Sequence, residues 1–409
     1  MAQYLFTGGR FLDPAQDALL DGTEVLVEGA TVREVSDKPI RSEGATRIDL
    51  RGKTLMPGLV DAHVHVVATL VNLAENAEMP SSLIALRTAK VMNAMLMRGF
   101  TTVRDLAGAD LGLKMAVDEG LIDGPRLAIC GKGLSQTGGH GDPRSRTDDR
   151  ALFVGRLGAL CRIADGVEAV RKGAREEIRA GADFVKIMAN GGVASMVDPI
   201  SYLQYSRDEI TAAVEEAHNH KTYVAAHVYT DEAIRRAVEC GVHSLEHCNL
   251  IGAETAALAA KAGAIACPTL AAYEGLALEG EAFGLSPASV AKIETVRRGG
   301  LESLQIMHDA GLPMAYGSDL LGQLHKYQSM EFSIRRRVLP AAEILRSAST
   351  VAARLCRMEG QVGVLAPGSF ADLLVVDGDP YADIALLERP DALLAIMRGG
   401  TFFKNTLTA

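Results

Sequence analysis

Two hydrophobic patterns divide the chain. Residues 1–55 alternate apolar and polar positions, as in TEVLVEGATVREVS (23–36), and ADLLVVDGDP (371–380) repeats this alternation near the other end. A period of two between glycine-containing turns is typical of half-buried β-strands. Because each end is too short to bury a core alone, we expect residues 1–55 and 360–409 to pair into one small β-sandwich.

Residues 56–359 instead alternate short apolar runs with amphipathic helical patterns. Thr230 and Gly241 delimit one helix as N-cap and stop signal. Strand–helix alternation predicts a parallel sheet, and eight such units close into a (β/α)8 TIM barrel with its chemistry at the carboxyl ends of the strands. The predicted strands are LMPGLVDAHVH (55–65), TTVRDL (101–106), RLAICGKGL (126–134), FVKIMA (184–189), YVAAHV (223–228), HSLEHC (243–248), AIACPTL (264–270) and MAYGSD (314–319).

Two long connections, about residues 135–165 and 271–287, follow strands three and seven. Both therefore lie on the face where barrel enzymes carry their active sites, and we expect them to be functional loops. A basic run at 335–337 lies in a helical pattern, and we expect a solvated helix face there.

Composition narrows the class of protein. The 409 residues are 48% apolar and 23% charged, which supports a large core. A net charge of −9 argues against a nucleic-acid partner. The six cysteines form no CxxC pair, the start lacks a signal-peptide pattern, and no apolar run has the length of a membrane span. We expect a cytoplasmic protein with no membrane partner.

Six chemically active side chains fall at or near the ends of five predicted strands. They are His63, His65, Lys186, His227, His247 and Asp319. His63 and His65 are two residues apart, so both point to one face of their strand. Imidazole and carboxylate ligands suit zinc. A lysine among apolar neighbours can lose its proton, and the neutral amine can take up carbon dioxide to become a carbamate that bridges two metals.

With these residues in place, the chain resembles the amidohydrolase superfamily over essentially its whole length. HVH after PGLVDA and the tail motif APGSFADLLVVD carry this resemblance. Within the superfamily, the prolidase-like and acyl-amino-acid or dipeptide hydrolases are similar in SQTGGHGD (135–142), FVKIMANGGVAS (184–195), HVYT (227–230) and GSDLLGQLHKYQ (317–328). The resemblance also implies a homo-oligomer.

The resemblance implies a binuclear centre of two Zn²⁺ or other divalent ions. In it, His63, His65 and Asp319 hold one metal. His227 and His247 hold the second, and carbamylated Lys186 bridges the pair. The metals lower the pKa of a bridging water and polarise the scissile carbonyl, while Asp319 takes the water's proton and passes it to the leaving amine.

Three further residues are candidates for substrate binding. Tyr229 lies two residues beyond His227 and faces the same pocket, where a phenol can donate to a carboxylate or an oxyanion. His140 lies in the glycine-rich GGHGD segment, and His325 follows strand eight. Asp61 shares the strand face of His63 and either orients a ligand imidazole or caps a turn.

These residues predict hydrolysis of the amide bond of small-molecule substrates, namely Xaa-Pro or Xaa-hydrophobic dipeptides and N-acyl amino acids. A C-terminal Arg or Lys is the alternative if Glu274, Glu279 and Glu281 face the site. A cyclic-amide hydrolase for hydantoins, lactams or imidazolones also stays open. A metal-free structural barrel is disfavoured because all six ligands are present.

Overall fold

The computed structural model describes residues 2–193, 198–280 and 287–407. The strands are β1 Gln3–Thr7, β2 Arg10–Phe11, β3 Leu20–Asp21, β4 Glu24–Glu28, β5 Thr31–Ser36, β6 Thr46–Asp49, β7 Thr54–Pro57, β8 Leu59–Val64, β9 Phe100–Asp105, β10 Arg126–Ile129, β11 Gly133–Ser135, β12 Cys161–Ile163, β13 Val185–Met188, β14 Val224–Thr230, β15 Ser244–Leu250, β16 Ile265–Cys267, β17 Leu373–Val376, β18 Leu393–Arg398 and β19 Thr401–Asn405.

The helices lie mainly between the barrel strands. They are α1 Leu73–Glu78, α2 Ser81–Met97, α3 Leu111–Asp118, α4 Val167–Arg179, α5 Arg207–Asn219, α6 Asp231–Glu239, α7 Ala253–Lys261, α8 Leu270–Glu279, α9 Pro287–Asp309, α10 Glu331–Arg336, α11 Ala341–Arg346 and α12 Ala352–Leu355, with 3-10 helices at Gly322–Met330 and Ile384–Glu388 and a π-helical turn at Ser347–Val351. Within the described ranges, no helix combines the length and apolar character needed to cross a lipid bilayer.

Both ends of the chain join in one β-sandwich, as predicted. One sheet has the order β5-β4-β1-β6, and the other has the order β19-β18-β17-β7-β2-β3. In the second sheet β7 pairs antiparallel with β17, which sets Leu55 opposite Val375. Apolar residues such as Phe6, Leu55 and Val375 fill the space between the two sheets. Because β7 crosses the expected boundary between residues 55 and 56, the division into domains stays a prediction.

The barrel strands are parallel, and strand three is divided in two. Strands β8, β9 and β10 pair in one run, and β11, β13, β14, β15 and β16 pair in a second. Gly131, with a φ of +67°, separates β10 from β11. Hydrogen bonding continues across the division, since the Asp183 N–H donates to the Ile129 carbonyl at 2.7 Å. The additional strand β12 extends the sheet beside β11. The (β/α)8 architecture is therefore confirmed.

The eighth barrel strand differs from the prediction. Residues 313–319 run between β16 and β8 without forming a regular strand. Their backbone bonds to Ala266 on one side, and to Ala62 and His63 on the other. The segment ends at Asp319. This residue has a φ of +52°, which is outside the range of a β-strand, and its N–H donates to the His63 carbonyl at 2.8 Å. The segment still closes the barrel.

The expected loop at 271–287 is wrong for most of its length. Helix α8 covers Leu270–Glu279, because AAYEGLALE is rich in alanine, leucine and glutamate, which are strong helix formers. The sequence did not predict this helix, because its apolar residues lie all around the helix axis and do not form a single apolar face. The Thr230 cap of α6 is confirmed, since its side chain accepts from the Ala233 N–H. Glu281 lies outside the described residues.

Arg335 corrects the expectation of a solvated arginine run. Arg336 and Arg337 are exposed, but Arg335 is fully buried. Its guanidinium pairs with Glu331 at 2.8 Å and donates to the carbonyls of Pro268 and Ala315. Adjacent helical residues point about 100° apart, so one member of the run faces inward and ties α10 to strands seven and eight.

Replacing Arg335 by leucine should destabilise the barrel strongly. Arg335→Leu leaves Glu331 buried without its cation, which costs about 3–5 kcal/mol. Urea unfolding followed by circular dichroism measures the change. Arg337→Leu is the matched control on the exposed side of the same helix end and should stay within about 0.5 kcal/mol of the parent. Equal losses in the two variants would contradict the assigned role of Arg335.

Candidate metal centre

The first group of candidate ligands lies where β8 meets the segment 313–319. His63 Nε2 lies 3.3 Å from Asp319 Oδ1, and His65 Nε2 lies 3.2 Å from the same oxygen. Two atoms bound to one tetrahedral zinc at its usual bond lengths are about 3.3 Å apart. These three residues can therefore hold one metal ion.

A second pair of imidazoles lies on the neighbouring strands β14 and β15. His227 Nδ1 is 2.8 Å from His247 Nε2, so the two nitrogens face one point. His247 has a φ of +74° and Cys248 a φ of +56°, values that cost energy in non-glycine residues. This left-handed turn breaks the strand alternation and brings His247 into the same interior as its neighbour Glu246.

Lys186 lies in β13 with only 2% of its surface exposed. Burial lowers its pKa, against the pull of Glu246 and Asp319, and its charge in turn helps to lower the pKa of both His227 and His247. Burying an ammonium group is unfavourable, so Lys186 is a candidate for holding a bound group at this position.

The protonation states of His227, His247 and Asp319 also fit metal binding. Burial, with the neighbouring histidines, holds the pKa of His227 well below its usual range, and burial does the same for His247. Burial would raise the pKa of Asp319, but His63 and His65 outweigh it and hold that pKa well below its usual range. Neutral imidazoles and an ionised carboxylate are the forms that ligate metal.

Asp61 supports the site by binding the His63 backbone and two side chains, and not by orienting an imidazole ring. It accepts hydrogen bonds from the Ser318 hydroxyl at 2.6 Å, the Gln328 amide at 2.9 Å and the His63 N–H at 3.1 Å. Neither sequence alternative described this arrangement. Asp61 ties strand one to the residue before Asp319, so it fixes the spacing of the first ligand group.

His140 lies beside the second pair of histidines. Its ring stacks on His227 with centroids 4.1 Å apart, and its Nδ1 is 3.3 Å from Asp198 Oδ2. A Cβ on Gly192 would lie 2.0 Å from the His140 ring, and one on Gly191 would lie 1.9 Å from the Pro199 carbonyl. Both positions therefore need glycine for these close contacts.

Tyr229 also lies at the centre, but its hydroxyl has a partner. Its ring stacks on His247 at 4.9 Å, and its hydroxyl is 2.8 Å from that of Tyr273. Tyr273, in α8, is also 3.2 Å from His247 Nδ1, and Thr269 is 2.8 Å from that nitrogen. Burial raises the pKa of both tyrosines, so both hydroxyls stay protonated.

Sequence reasoning missed Tyr273, Thr269 and Glu246. Tyr273 was hidden by the expectation of a loop in place of α8. Glu246 accepts from His63 Nδ1 at 2.8 Å, although strict alternation places it opposite His247. The signal that could have found Glu246 is a carboxylate inside an apolar strand directly before a ligand histidine.

Of the three candidate substrate-binding residues, His325 has the least direct contact with the candidate metal ligands. It lies in the 3-10 helix Gly322–Met330, and its Nε2 bonds the Ala68 carbonyl at 3.2 Å, in the loop after β8. Burial lowers its pKa to about 4, so it is neutral. Its contacts with the site are electrostatic ones to His65 and Asp319, and its role in substrate binding stays a prediction.

Comparison with known proteins agrees with this geometry. The chain belongs to the amidohydrolase family, whose model matches residues 54–402. It is a hydrolytic enzyme by that membership and by its relatives. Ochratoxinase of Aspergillus niger is 32% identical, over 96% of this chain and 84% of that protein. The superfamily resemblance drawn from the sequence is thereby confirmed.

Two solved structures narrow the comparison. A prolidase complexed with N-methylphosphonate-L-proline is 49% identical, covers 99% of this chain and 100% of its own, and superposes with a TM-score of 0.96. A Xaa-Pro dipeptidase with methionine bound in its active site is 27% identical over 99% of this chain and 100% of its own, with a TM-score of 0.88.

Filling the space at Gly192 should displace His140. Gly192→Ala puts a methyl group against the ring, so we expect kcat/KM for hydrolysis to fall roughly ten- to hundredfold with unchanged metal content. Gly155→Ala is the control in the connection that also carries His140, because its Cβ would meet nothing within 4 Å. Parent-like kcat/KM in Gly192→Ala would show that the stacked position of His140 is not needed.

Proposed function

We propose that this enzyme hydrolyses the amide bond that joins an acyl or aminoacyl group to an amino acid with a free carboxylate. Its substrates are Xaa-Pro and Xaa-hydrophobic dipeptides and N-acyl amino acids, and it works with two divalent metal ions, Zn²⁺ foremost. The observation that carries this proposal is the meeting of His63, His65 and Asp319 with the His227–His247 pair at one end of the barrel. The 49% identity to a prolidase supports it.

In this proposal His63, His65 and Asp319 hold one metal, and His227 and His247 hold the other. Lys186, as a carbamate, would complete this set of ligands, which would give its buried amine a role. When bound, the metals supply an activated water and polarise the scissile carbonyl. The protein's own contribution is to hold the imidazoles at fixed spacings and to shield them from solvent.

Asp319 is proposed as the general base and then the general acid. Its Oδ1 faces His63 and His65, whereas its Oδ2 turns toward His247, 3.8 Å from Nδ1. One oxygen can therefore serve as ligand while the other takes the proton of the attacking water. The carboxylate is ionised and so can accept that proton, and the same oxygen then delivers the proton to the leaving amine nitrogen.

Two groups beside the second histidine pair are proposed to bind the substrate. His140 is partly exposed while its ring is stacked on His227, so it can donate to the substrate's carboxylate. The hydroxyls of Tyr229 and Tyr273 together carry two protons, one of which joins them. The other is free to donate toward a developing oxyanion next to His247.

The charges near α8 support a neutral C-terminal residue over Arg or Lys. Glu274 pairs with Arg297 at 3.1 Å. Glu279 pairs with Lys326 at 2.5 Å and accepts from the Tyr327 hydroxyl. Carboxylates already neutralised by the chain's own cations offer little to a cationic substrate. This pairing favours proline and other uncharged residues.

A hydrolysis screen with metal-loaded and chelated enzyme tests the proposal. We expect chelator-sensitive cleavage of Xaa-Pro, Xaa-hydrophobic and N-acyl amino acid substrates, and at least tenfold weaker cleavage after amidation of their carboxylate, which removes the charge that His140 recognises. Dipeptides ending in Arg or Lys should be poorer by a similar factor. Turnover confined to hydantoins or lactams would move the enzyme to the cyclic-amide class.

Removing Lys186 should remove metal. Lys186→Ala deletes the bridging group, so we expect metal content, measured by plasma emission, to fall by at least one ion per chain and activity to fall about 10²-fold or more. A short carboxylic acid added to the buffer should restore part of both. Lys114→Ala, which breaks only a part-exposed pair with Asp183, is the control. Full metal content in Lys186→Ala would disprove the bridge.

A further inference from the structure

The structure assigns a positioning role to Glu246 and Arg104, two buried residues behind the metal centre. We propose that Glu246 fixes the ring of His63 for metal binding and that Arg104 fixes Glu246. The inference rests on the proposed function, because it concerns the same centre. It adds residues that touch neither substrate nor metal and act through His63.

The His63 ring lies between two carboxylates. Its Nδ1 is 2.8 Å from Glu246 Oε2, and its Nε2 is 3.3 Å from Asp319 Oδ1 on the opposite side. Neutral imidazole carries one proton, and the acceptor at Nδ1 draws it there. Glu246 therefore leaves the lone pair of Nε2 directed at the metal position and prevents the ring from rotating.

Arg104 connects this carboxylate to the strand that carries His63. Its guanidinium makes two hydrogen bonds to Glu246, at 2.9 and 3.0 Å. Its Nε donates at 2.6 Å to the carbonyl of Ala62, the residue before His63. One rigid group thus holds both the backbone that carries the ring and the acceptor that orients it. Its remaining bonds go to Tyr223 and Ser244.

Charge explains why the two residues occur together. Both side chains are fully buried, and a buried carboxylate without a cation is strongly unfavourable. Arg104 supplies that cation, and Glu246 accepts hydrogen bonds from both Arg104 and His63. His63, Glu246 and Cys267 also bring their ligand atoms within 4.8 Å of one another. The guanidinium of Arg104 already neutralises the charge of Glu246 at that point, so no metal cation is needed there.

The test separates positioning from packing with a double variant. Arg104→Met combined with Glu246→Leu replaces the ion pair by apolar groups of similar size, which a protein core tolerates. We expect its urea midpoint to stay near that of the parent. Its Zn²⁺ affinity, measured by chelator competition, should fall about 10- to 100-fold, and the visible spectrum of the Co²⁺-loaded protein should change. Parent-like affinity and spectrum would overturn the inference.

Glu246→Asp covers the case in which the double variant fails to fold. Aspartate keeps the charge for Arg104 but is one methylene too short to reach His63 at 2.8 Å, so Zn²⁺ affinity should fall while the fold is kept. Unchanged affinity in this variant would also overturn the inference. Tyr223→Phe removes one bond to Arg104 at 3.0 Å and one to the Leu355 carbonyl. It is the control, expected to bind Zn²⁺ within about threefold of the parent.

The two proposals fail in different ways. If the parent protein binds no metal, the proposed function is wrong and His63 needs no orientation. If the parent binds metal and cleaves dipeptides while both Glu246 variants bind metal equally well, only the positioning role is wrong. Metal affinity is therefore measured before any substrate is added.

Discussion

The hydrogen bond from the Asp319 N–H to the His63 carbonyl, 2.8 Å long, joins the last barrel segment to the first strand. Closing a ring of parallel strands brings all of their carboxyl ends to one mouth. The same bond sets the Asp319 carboxylate beside His63 and His65, residues more than 250 positions earlier in the sequence. Without that closure, the candidate ligands would lie on an open sheet and could not converge.

Convergence places charged groups where water is scarce, and much of the surrounding structure balances those charges. Asp61 holds backbone on both sides of the closure. Arg104 neutralises the charge of Glu246, and Arg335 neutralises the charge of Glu331 within α10. Each pair is fully buried, where an unmatched charge would be strongly destabilising. Lys186 is buried near the same centre, and the carboxylates of Glu246 and Asp319 act on it through charge.

Several expectations failed because tertiary contacts overruled local pattern. Glu246 was missed because His247, the next residue, faces the barrel interior through a positive φ. Strand alternation does not predict this turn and places the two residues on opposite faces. Tyr273 was missed because apolar residues lie all around α8, so its sequence lacks the one-sided pattern that predicts a helix. Arg335 was assigned to solvent because charge usually stays there. In each case the deciding interaction is between residues distant in sequence, or is a backbone strain that such interactions maintain.

The sequence alone determined the strand–helix alternation, the pairing of both ends and the identity of six candidate ligands, because periodicity and residue chemistry are local properties. It also determined the superfamily, through motifs at the strand ends. Only the tertiary structure decided which side chains meet, that Glu274 and Glu279 are neutralised by the chain's own cations, and that Gly192 must be small beside His140. Distances and compensating charges arise when the chain closes on itself, and no local pattern contains them.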